Sequence, residues 1–357
     1  MTTLETINPM VSVIIPTKMN TKVLQECLKS LQQLDYPKEL LEILVIIDSH
    51  DNIDESNAED DIRRLIAKYP IYVFQMNGTP SYKRNYGVSK ANGVIIAFID
   101  SDCIAPSQWI SKAVKHFEDP SVAVVGGPNL TPPNNNWRQK SSGNIFASKL
   151  GTGPMRARYT PIGETRTTKG LEIILCNMCV RKSTFEILQG FNEQLFPNEE
   201  NEFLHRIRTY NETNTQEILY DPTLYVYHHR RPIILEHTKQ VLNYGIGRGK
   251  MIRLHPVTAF PASPLMVGFA VLAIAFPILL IYQLITLMCS WCPQIPFNWQ
   301  ILYFLGILSI LYSVSTISYG IKWSIQQNHL QLLYMTPITF FLSHFAYGYG
   351  IIKGLLS

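Results

Sequence analysis

The sequence predicts an α/β domain with a mostly parallel sheet, followed by a C-terminal region of transmembrane helices. Three observations carry this prediction. Apolar runs alternate with helical patterns early in the chain, no charged residue occurs from Leu265 to Ile321, and charged residues make up only 16% of the whole. The hydrophobic content of 46% beside so few charges is unusual for a purely soluble protein. A net charge of +4 is too small to indicate nucleic-acid binding.

Four apolar runs are predicted strands, and the segments between them are predicted helices. The strands are Val11–Ile15, Ile43–Ile47, Ile71–Gln75 and Val94–Ile99. The first predicted helix has apolar residues at helical spacing, at Leu24, Cys27, Leu28, Leu31 and Leu34. The other two are a charged stretch at 60–69 and the segment 82–91. Continuous apolar strands separated by helices indicate a parallel sheet that is covered by helices on both faces.

Polar side chains follow three of these strands. Pro16 and Thr17 follow the first strand, Asp48 the second, and Asp100 with Asp102 the fourth. Because ligands of open α/β sheets bind beyond the carboxyl ends of the strands, we expect these residues to form one site. At such a position Asp48 accepts hydrogen bonds from a nucleotide base or ribose, or serves only as a turn former.

Asp100 and Asp102 are separated by one residue, so in an extended segment both carboxylates point to the same side. Such a pair holds a hard cation, Mg²⁺ or Mn²⁺, or divides between the metal and a ribose hydroxyl. The cation bridges diphosphate oxygens and neutralises the leaving group of a nucleotide-sugar. Many such pairs are solvated turns, but the preceding buried strand favours the functional interpretation. Nearby Arg84 pairs with the diphosphate or faces solvent.

These segments and several downstream motifs make the chain similar to glycosyltransferase family 2, whose nucleotide-sugar-binding fold is GT-A. The matching motifs are Val13–Thr17, Ile46–Asp48, Lys83–Gly87, Ala97–Asp102, Gly126–Pro128, Asn177–Arg181, Gly190–Glu193 and Glu199–Phe203. The resemblance implies inverting transfer from a nucleotide-diphosphate sugar. It places Asp48 at the base and Asp100 with Asp102 at the metal and diphosphate.

The resemblance also implies a catalytic base and a further metal ligand. Glu199 and Glu200 fall where the family usually has Glu-Asp, which makes Glu200 the expected base and leaves Glu199 as the alternative. The base takes the proton of the acceptor hydroxyl during attack on the anomeric carbon. His228, which precedes His229, falls where related enzymes place a histidine on the metal or the diphosphate.

One further comparison with the family concerns the segment after the catalytic domain. Asn243 and Tyr244 replace the Arg and Trp of processive polysaccharide synthases, which argues against processive synthesis. The following residues, Gly245–Lys250, resemble the interfacial segment of non-processive members. There Arg248 and Lys250 contact either the phosphate of an acceptor lipid or anionic headgroups.

The last third of the chain contains three apolar segments, at 265–288, 301–321 and 332–356. Each has close to the roughly 20 residues that a helix needs to cross a bilayer. Basic residues before the first segment and Lys322 after the second place the N-terminal domain in the cytoplasm by the positive-inside rule. We therefore divide the chain into a cytosolic catalytic domain (1–228), an interfacial linker (229–263) and a transmembrane region (264–357). Cys289 and Cys292 lie in the predicted external loop and are a disulfide candidate.

The sequence thus predicts a membrane-bound inverting glycosyltransferase. Its partners are a nucleotide-sugar donor, membrane lipids, and an acceptor hydroxyl on a lipid-linked saccharide or surface glycan. Two alternatives stay open. A polyprenyl- or dolichyl-phosphate sugar synthase needs no base because its acceptor is a phosphate. A non-catalytic membrane scaffold with a degenerate transferase domain is the alternative of another class.

Overall fold

A computed structural model describes residues 8–18, 22–48, 69–210, 216–259, 262–288 and 299–357. Most of the predicted helix at 60–69, and the pair Cys289 and Cys292, lie outside these residues. The chain divides into two compact units. The first comprises Met1–Asn135 and Phe146–Arg230, and the second comprises Asn136–Ile145 and Arg231–Ser357.

Strands and helices are mixed up to Arg230, and the elements after it are helices. In chain order the elements are β1 (Val11–Pro16), α1 (Lys22–Leu31), β2 (Leu41–Ile47), β3 (Ile71–Gln75), α2 (Pro80–Lys90), β4 (Ile95–Phe98), β5 (Cys103–Ile104), α3 (Trp109–His116), β6 (Val122–Gly126), β7 (Asn129–Leu130), α4 (Trp137–Ala147), α5 (Lys149–Thr152), β8 (Arg166–Thr167), β9 (Met178–Arg181), α6 (Lys182–Ile187), α7 (Glu199–Tyr210), β10 (Glu217–Tyr220), β11 (Val226–His228), α8 (Leu235–Leu254), α9 (Ala262–Met288), α10 (Trp299–Gln327) and α11 (Leu332–Leu356).

The first unit is built on a sheet with the strand order β3-β2-β1-β4-β9-β6-β10-β8. The four strands predicted from sequence pair in parallel, β1 with both β2 and β4, and β2 with β3. β9 runs antiparallel between β4 and β6, and β8 is antiparallel to β10. The mostly parallel α/β sheet is therefore confirmed. A small second sheet, β5-β11-β7, was not predicted.

Alternating residues of β1 show why helices cover both faces of this sheet. Val13 and Ile15 lie in one buried cluster together with residues of α1 and α3. Ile14, between them, lies in the other cluster together with residues of α2, α6 and α7. All three side chains are completely buried, and each contributes roughly 1.5 to 3 kcal/mol by leaving water. The polar site residues therefore lie at the ends of the strands.

The second unit is helical. α11 packs against α8, α9 and α10. Its contact with α8 brings the backbones together, because Gly245 and Gly249 lie against α11. A Cβ atom built on Gly249 would stand 2.2 Å from the carbonyl oxygen of Ile351, and one on Gly245 would stand 2.4 Å from that of Tyr347. Only residues without a side chain permit this approach.

Two of the three predicted transmembrane segments are candidate spans by length and composition. They are Ser263–Tyr282 in α9 and Tyr303–Gln327 in α10. The third segment forms α11, but it is not among the candidate spans in the described part of the chain. Its buried face carries Thr336, Thr339, Ser343 and His344. The membrane assignment of the structure therefore rests on a pair of helices.

Candidate active site

The ends of β1 and β2 are joined by Lys83, for which the sequence predicted no role. Thr17 directly follows β1, which ends at Pro16, and Asp48 directly follows β2. The ammonium group of Lys83, from α2, lies 2.6 Å from Asp48 Oδ1 and donates to the backbone oxygen of Thr17. Lys83 is 2% exposed, so its charge depends on these two partners. The structure thus brings Thr17 and Asp48 together through Lys83.

Arg84 connects the aspartate pair with the glutamate pair. Its two terminal nitrogens donate to Asp100 Oδ1 at 2.6 Å and to Glu199 Oε1 at 2.9 Å. Arg84 is 4% exposed and Glu199 is 2% exposed, so this ion pair lies largely outside water. A buried guanidinium with a carboxylate on each side fixes both acids in place.

Glu200 is held by a different arginine. Its Oε1 accepts from Arg158 at 3.2 Å and from the side-chain amide of Asn201 at 2.8 Å. A second Arg158 nitrogen donates to Asn201 Oδ1 at 2.6 Å. Among the described residues no group donates to Glu200 Oε2, so this oxygen is open to a further donor. Arg158 was not predicted, because nothing in its local sequence connects it with residues more than 40 positions away.

Glu199 has an unusual pKa for a glutamate that pairs with an arginine. Burial raises the pKa of Glu199 to about 7, against the opposing effect of Arg84 and with a further rise from Glu200. Glu199 therefore exchanges its proton near neutral pH although it pairs with an arginine.

Asp102 meets His228 across the small second sheet. His228 is opposite Cys103 in the antiparallel pair of β11 and β5, so the chain brings His228 next to the aspartate motif. His228 Nε2 lies 3.0 Å from Asp102 Oδ1. Oxygen, nitrogen and sulfur atoms of Asp102, Cys103 and His228 lie within 4.8 Å of one another. Asp100 does not belong to this group, and Arg84 holds it instead.

Arg230 orients His228 from the other side of the imidazole. One Arg230 nitrogen lies 3.3 Å from His228 Nδ1, and others donate to Thr131 Oγ1 at 3.1 Å and to Asn129 Oδ1 at 2.9 Å. A guanidinium only donates, so in the neutral imidazole Nδ1 accepts, and Nε2 carries the proton and donates a hydrogen bond to Asp102. The neighbouring His229 points elsewhere and contacts Glu26 and Asn135.

The donor groups in this cluster fit a hard or borderline divalent cation. Burial, and then the hydrogen bond with Cys176, raise the pKa of the Cys103 thiol well above its usual value, so the sulfur stays protonated. The remaining donors are the carboxylate of Asp102 and the imidazole of His228. A carboxylate and an imidazole suit Mn²⁺, and the carboxylate suits Mg²⁺, whereas a thiolate would favour zinc. A cation held by His228 Nε2 would replace the proton with which this nitrogen now donates a hydrogen bond.

Two asparagines of the sequence motifs, Asn177 and Asn85, hold the fold together and do not line the site. Asn177 accepts from the Trp109 indole at 2.8 Å and donates to the backbone oxygens of Pro128 at 3.1 Å and Leu224 at 2.7 Å. Asn85 exchanges hydrogen bonds with the backbone of Phe191 at 2.8 and 2.9 Å. These bonds join distant segments, which explains the motifs without a catalytic role.

The comparisons with known proteins agree with this architecture. Residues 12–188 match the family model described as glycosyl transferase family 2. The chain is 32% identical over 130 residues to glycosyltransferase AglE of Haloferax volcanii, covering 35% of this chain and 41% of AglE. It is 24% identical over 356 residues, 97% of each chain, to a dolichyl N-acetyl-alpha-D-glucosaminyl phosphate 3-beta-D-2,3-diacetamido-2,3-dideoxy-beta-D-glucuronosyltransferase of Methanococcus voltae.

One solved structure supports the fold. The mannosyltransferase PcManGT from Pyrobaculum calidifontis, in complex with GDP-Man and Mn²⁺, matches with a TM-score of 0.53 and 17% identity. The match covers 93% of this chain and 87% of that chain. The first unit is therefore GT-A-like.

Together these findings define the class of the protein. Residues 12–188 match the glycosyl transferase family 2 model, and this match together with the named relatives supports a glycosyltransferase. It spans less than half the length of AglE but nearly the whole length of the Methanococcus voltae enzyme.

Proposed function

We propose that this chain is an inverting glycosyltransferase that acts at a membrane. It transfers a sugar from a nucleotide-diphosphate sugar to a hydroxyl group of a lipid-linked saccharide or surface glycan. The observation that carries the proposal is the coupling of the two acid pairs through Arg84, which links Asp100 with Glu199 and so with the adjacent Glu200. A donor site and a base for a hydroxyl acceptor then occur in one fixed network.

The donor is held at the ends of the strands. Asp48, positioned by Lys83, accepts from the base or ribose, and Pro16 and Thr17 form the neighbouring wall. Asp102 and His228 would hold Mg²⁺ or Mn²⁺, with Asp100 as the second carboxylate of the motif. When bound, the cation neutralises negative charge on the diphosphate leaving group.

Arg84 is a positioning residue in this proposal. Each of its terminal nitrogens holds a carboxylate, Glu199 or Asp100, in place. The diphosphate contact expected for Arg84 from the sequence stays a prediction.

Glu200 is the proposed base. Its Oε2 takes the proton of the acceptor hydroxyl while the acceptor oxygen forms a bond with the anomeric carbon. The bond from that carbon to the diphosphate breaks with its electron pair, and the configuration inverts. Glu199 is less suited to this role because it is more deeply buried and its carboxylate is bound to Arg84.

A pair of measurements tests the proposal on the full-length protein. A panel of nucleotide-sugars with Mn²⁺ should contain a donor that raises the melting temperature, and Asp102→Asn should remove that rise. Glu200→Gln should retain it but lower the transfer rate by roughly 10²- to 10⁴-fold. Glu200→Asp, which restores the residue usual in the family, should keep part of the activity.

The same experiment separates the alternatives. Full turnover by Glu200→Gln would indicate a phosphate acceptor, as in a polyprenyl-phosphate sugar synthase. A wild-type protein that is inert to every donor would indicate a scaffold. The name of the Methanococcus voltae relative describes transfer to a dolichyl phosphate that already bears a sugar, which favours a hydroxyl acceptor here.

A further inference from the structure

Arg248 is a buried cation that the proposed reaction leaves unexplained. It lies in α8 and is 2% exposed. One terminal nitrogen lies 3.7 Å from the sulfur of Met251. Nε and the other terminal nitrogen are buried without any hydrogen-bond partner among the described residues. A guanidinium with no oxygen partner on any of its three nitrogens is costly to bury, so such an arrangement calls for an anion from outside the chain.

The side chains of the second unit do not supply that anion. This unit contains nine lysines and arginines but one acidic residue, Glu236. Glu236 is in the first turn of α8, twelve residues before Arg248, or about 18 Å along a helix. Glu236 is therefore too far away to pair with Arg248, the unit has no other side-chain carboxylate, and its excess positive charge attracts anions.

The packing of α8 keeps the position of Arg248 fixed. Gly245 and Gly249 flank it in the sequence and both contact the backbone of α11. With no side chains at this contact, the two helices have little freedom to slide. The guanidinium is therefore presented from a rigid segment and not from a flexible loop.

The surroundings indicate which anion is suitable. A planar guanidinium forms paired hydrogen bonds with phosphate or carboxylate oxygens. The next long helix after α8 is α9, which begins at Ala262 and whose segment Ser263–Tyr282 is a candidate membrane span. An anion that approaches Arg248 beside such helices is most readily carried by an amphiphile.

We propose that Arg248 binds the phosphate group of a membrane lipid. The inference rests on the proposed function, for which this phosphate would belong to a lipid-linked acceptor. The same chemistry is offered by the headgroup of a glycerophospholipid, so the test includes both sources.

The experiment measures lipid binding to the full-length protein in detergent, by native mass spectrometry and by melting temperature. The probes are a long-chain polyprenyl monophosphate, the matching polyprenol, phosphatidylglycerol and inorganic phosphate. The variants are Arg248→Met and, as the matched control, Arg253→Met, which removes the same charge from an exposed position on the same helix.

We expect polyprenyl monophosphate to bind the wild type and Arg253→Met alike, and Arg248→Met roughly 10- to 100-fold more weakly. The polyprenol should show no such difference. Without lipid, Arg248→Met should melt at or above the wild-type temperature, because an unpaired buried charge has been removed. Phosphatidylglycerol that binds as tightly through Arg248 would support the site and assign it to bulk headgroups.

Each of three binding results would overturn the proposal. The first is equal binding of polyprenyl monophosphate by the wild type and Arg248→Met. The others are that the wild type binds the polyprenol, or inorganic phosphate alone, as tightly as it binds polyprenyl monophosphate. A large loss of stability in lipid-free Arg248→Met would likewise show a structural role. Failure of the proposed function can be told apart from failure of this proposal. It appears as the absence of metal-dependent donor binding in the wild type and in both arginine variants.

Discussion

Arg84 illustrates how one buried side chain determines the state of several acids. It is the partner of both Asp100 and Glu199, and Lys cannot replace it because an ammonium group lacks the planar fork that spans two carboxylates. Removing Arg84 leaves Glu199 buried without its partner, which is a costly arrangement.

We therefore expect Arg84→Met to lower the free energy of unfolding by about 3 to 5 kcal/mol. Combining it with Glu199→Gln should recover part of this loss, because the double variant buries no unpaired charge. Denaturant unfolding of the wild type, the two single variants and the double variant measures the coupling. Strictly additive losses would contradict the role assigned to Arg84.

The raised pKa of Glu199 predicts how stability depends on pH. Its ordinary pKa is 4.5 and its pKa in the folded protein is about 7, so the unfolded chain ionises first as the pH rises. The contribution of this group is fully present below 4.5, declines between the two values, and is lost above about 7.

Melting temperatures at about pH 5 and about pH 8 test this dependence. The wild type should lose more stability over the interval than Glu199→Gln, which cannot ionise. Glu202→Gln is the matched control, since Glu202 is a buried acid on the same helix with its own partner, Arg206. A wild-type decrease no larger than that of Glu199→Gln would show that Glu199 stays ionised.

Local patterns revealed some site residues and concealed others. Asp48, Asp100 and Asp102 could be predicted because each lies within four residues after the end of an apolar strand, and the end of a strand is visible in the sequence. Lys83 lies within a family motif, but its role was missed because its side chain reaches back to two strand ends. Arg158 and Arg230 act through contacts with residues 40 or more positions away, which no local pattern records.

At the scale of secondary structure, the same limit applies to strand pairing. The parallel strands β1 to β4 were predicted since each is a continuous apolar run. The small sheet of β5, β11 and β7 was not, because strands of two or three residues show no periodicity. Yet this sheet places His228 beside Asp102, so the proposed metal site depends on an element that the pattern could not predict.

The glycine contact between α8 and α11 gives a prediction for the second unit. Gly249→Ala should destabilise the protein by about 1 to 3 kcal/mol, because the new Cβ atom would meet the Ile351 carbonyl oxygen. Gly268→Ala in α9 is the matched control, since a Cβ atom there has no described neighbour within 4 Å. The melting temperature in detergent is the measurement. Equal melting temperatures for the two variants would show that the helices separate easily.

For the molecule as a whole, the open question is how often the chain crosses the membrane. Composition alone predicted three crossings, since α11 is as long as its neighbours. In the structure the apolar surfaces of α9 and α10 are largely exposed, as lipid-facing helices require, whereas α11 buries hydroxyl groups and His344. His344 accepts or donates a hydrogen bond with Tyr312 at 2.9 Å. His344 also meets the ring of Phe269 in α9. Since His344 thus contacts both candidate spans inside their apolar segments, α11 runs beside them, and we keep the three predicted crossings.

Two crossings and three crossings make opposite predictions for the C-terminus. With two, Ser357 lies on the same side of the membrane as the glycosyltransferase domain, and with three it lies on the other side. We expect three crossings. Of single cysteines introduced at the N-terminus and after Ser357, in a protein whose exposed native cysteines are replaced, only the one after Ser357 should then react with a membrane-impermeant maleimide in intact cells, because the positive-inside rule places the domain and Lys322 in the cytoplasm. Equal reactivity of the two cysteines would instead show that α11 does not cross the membrane.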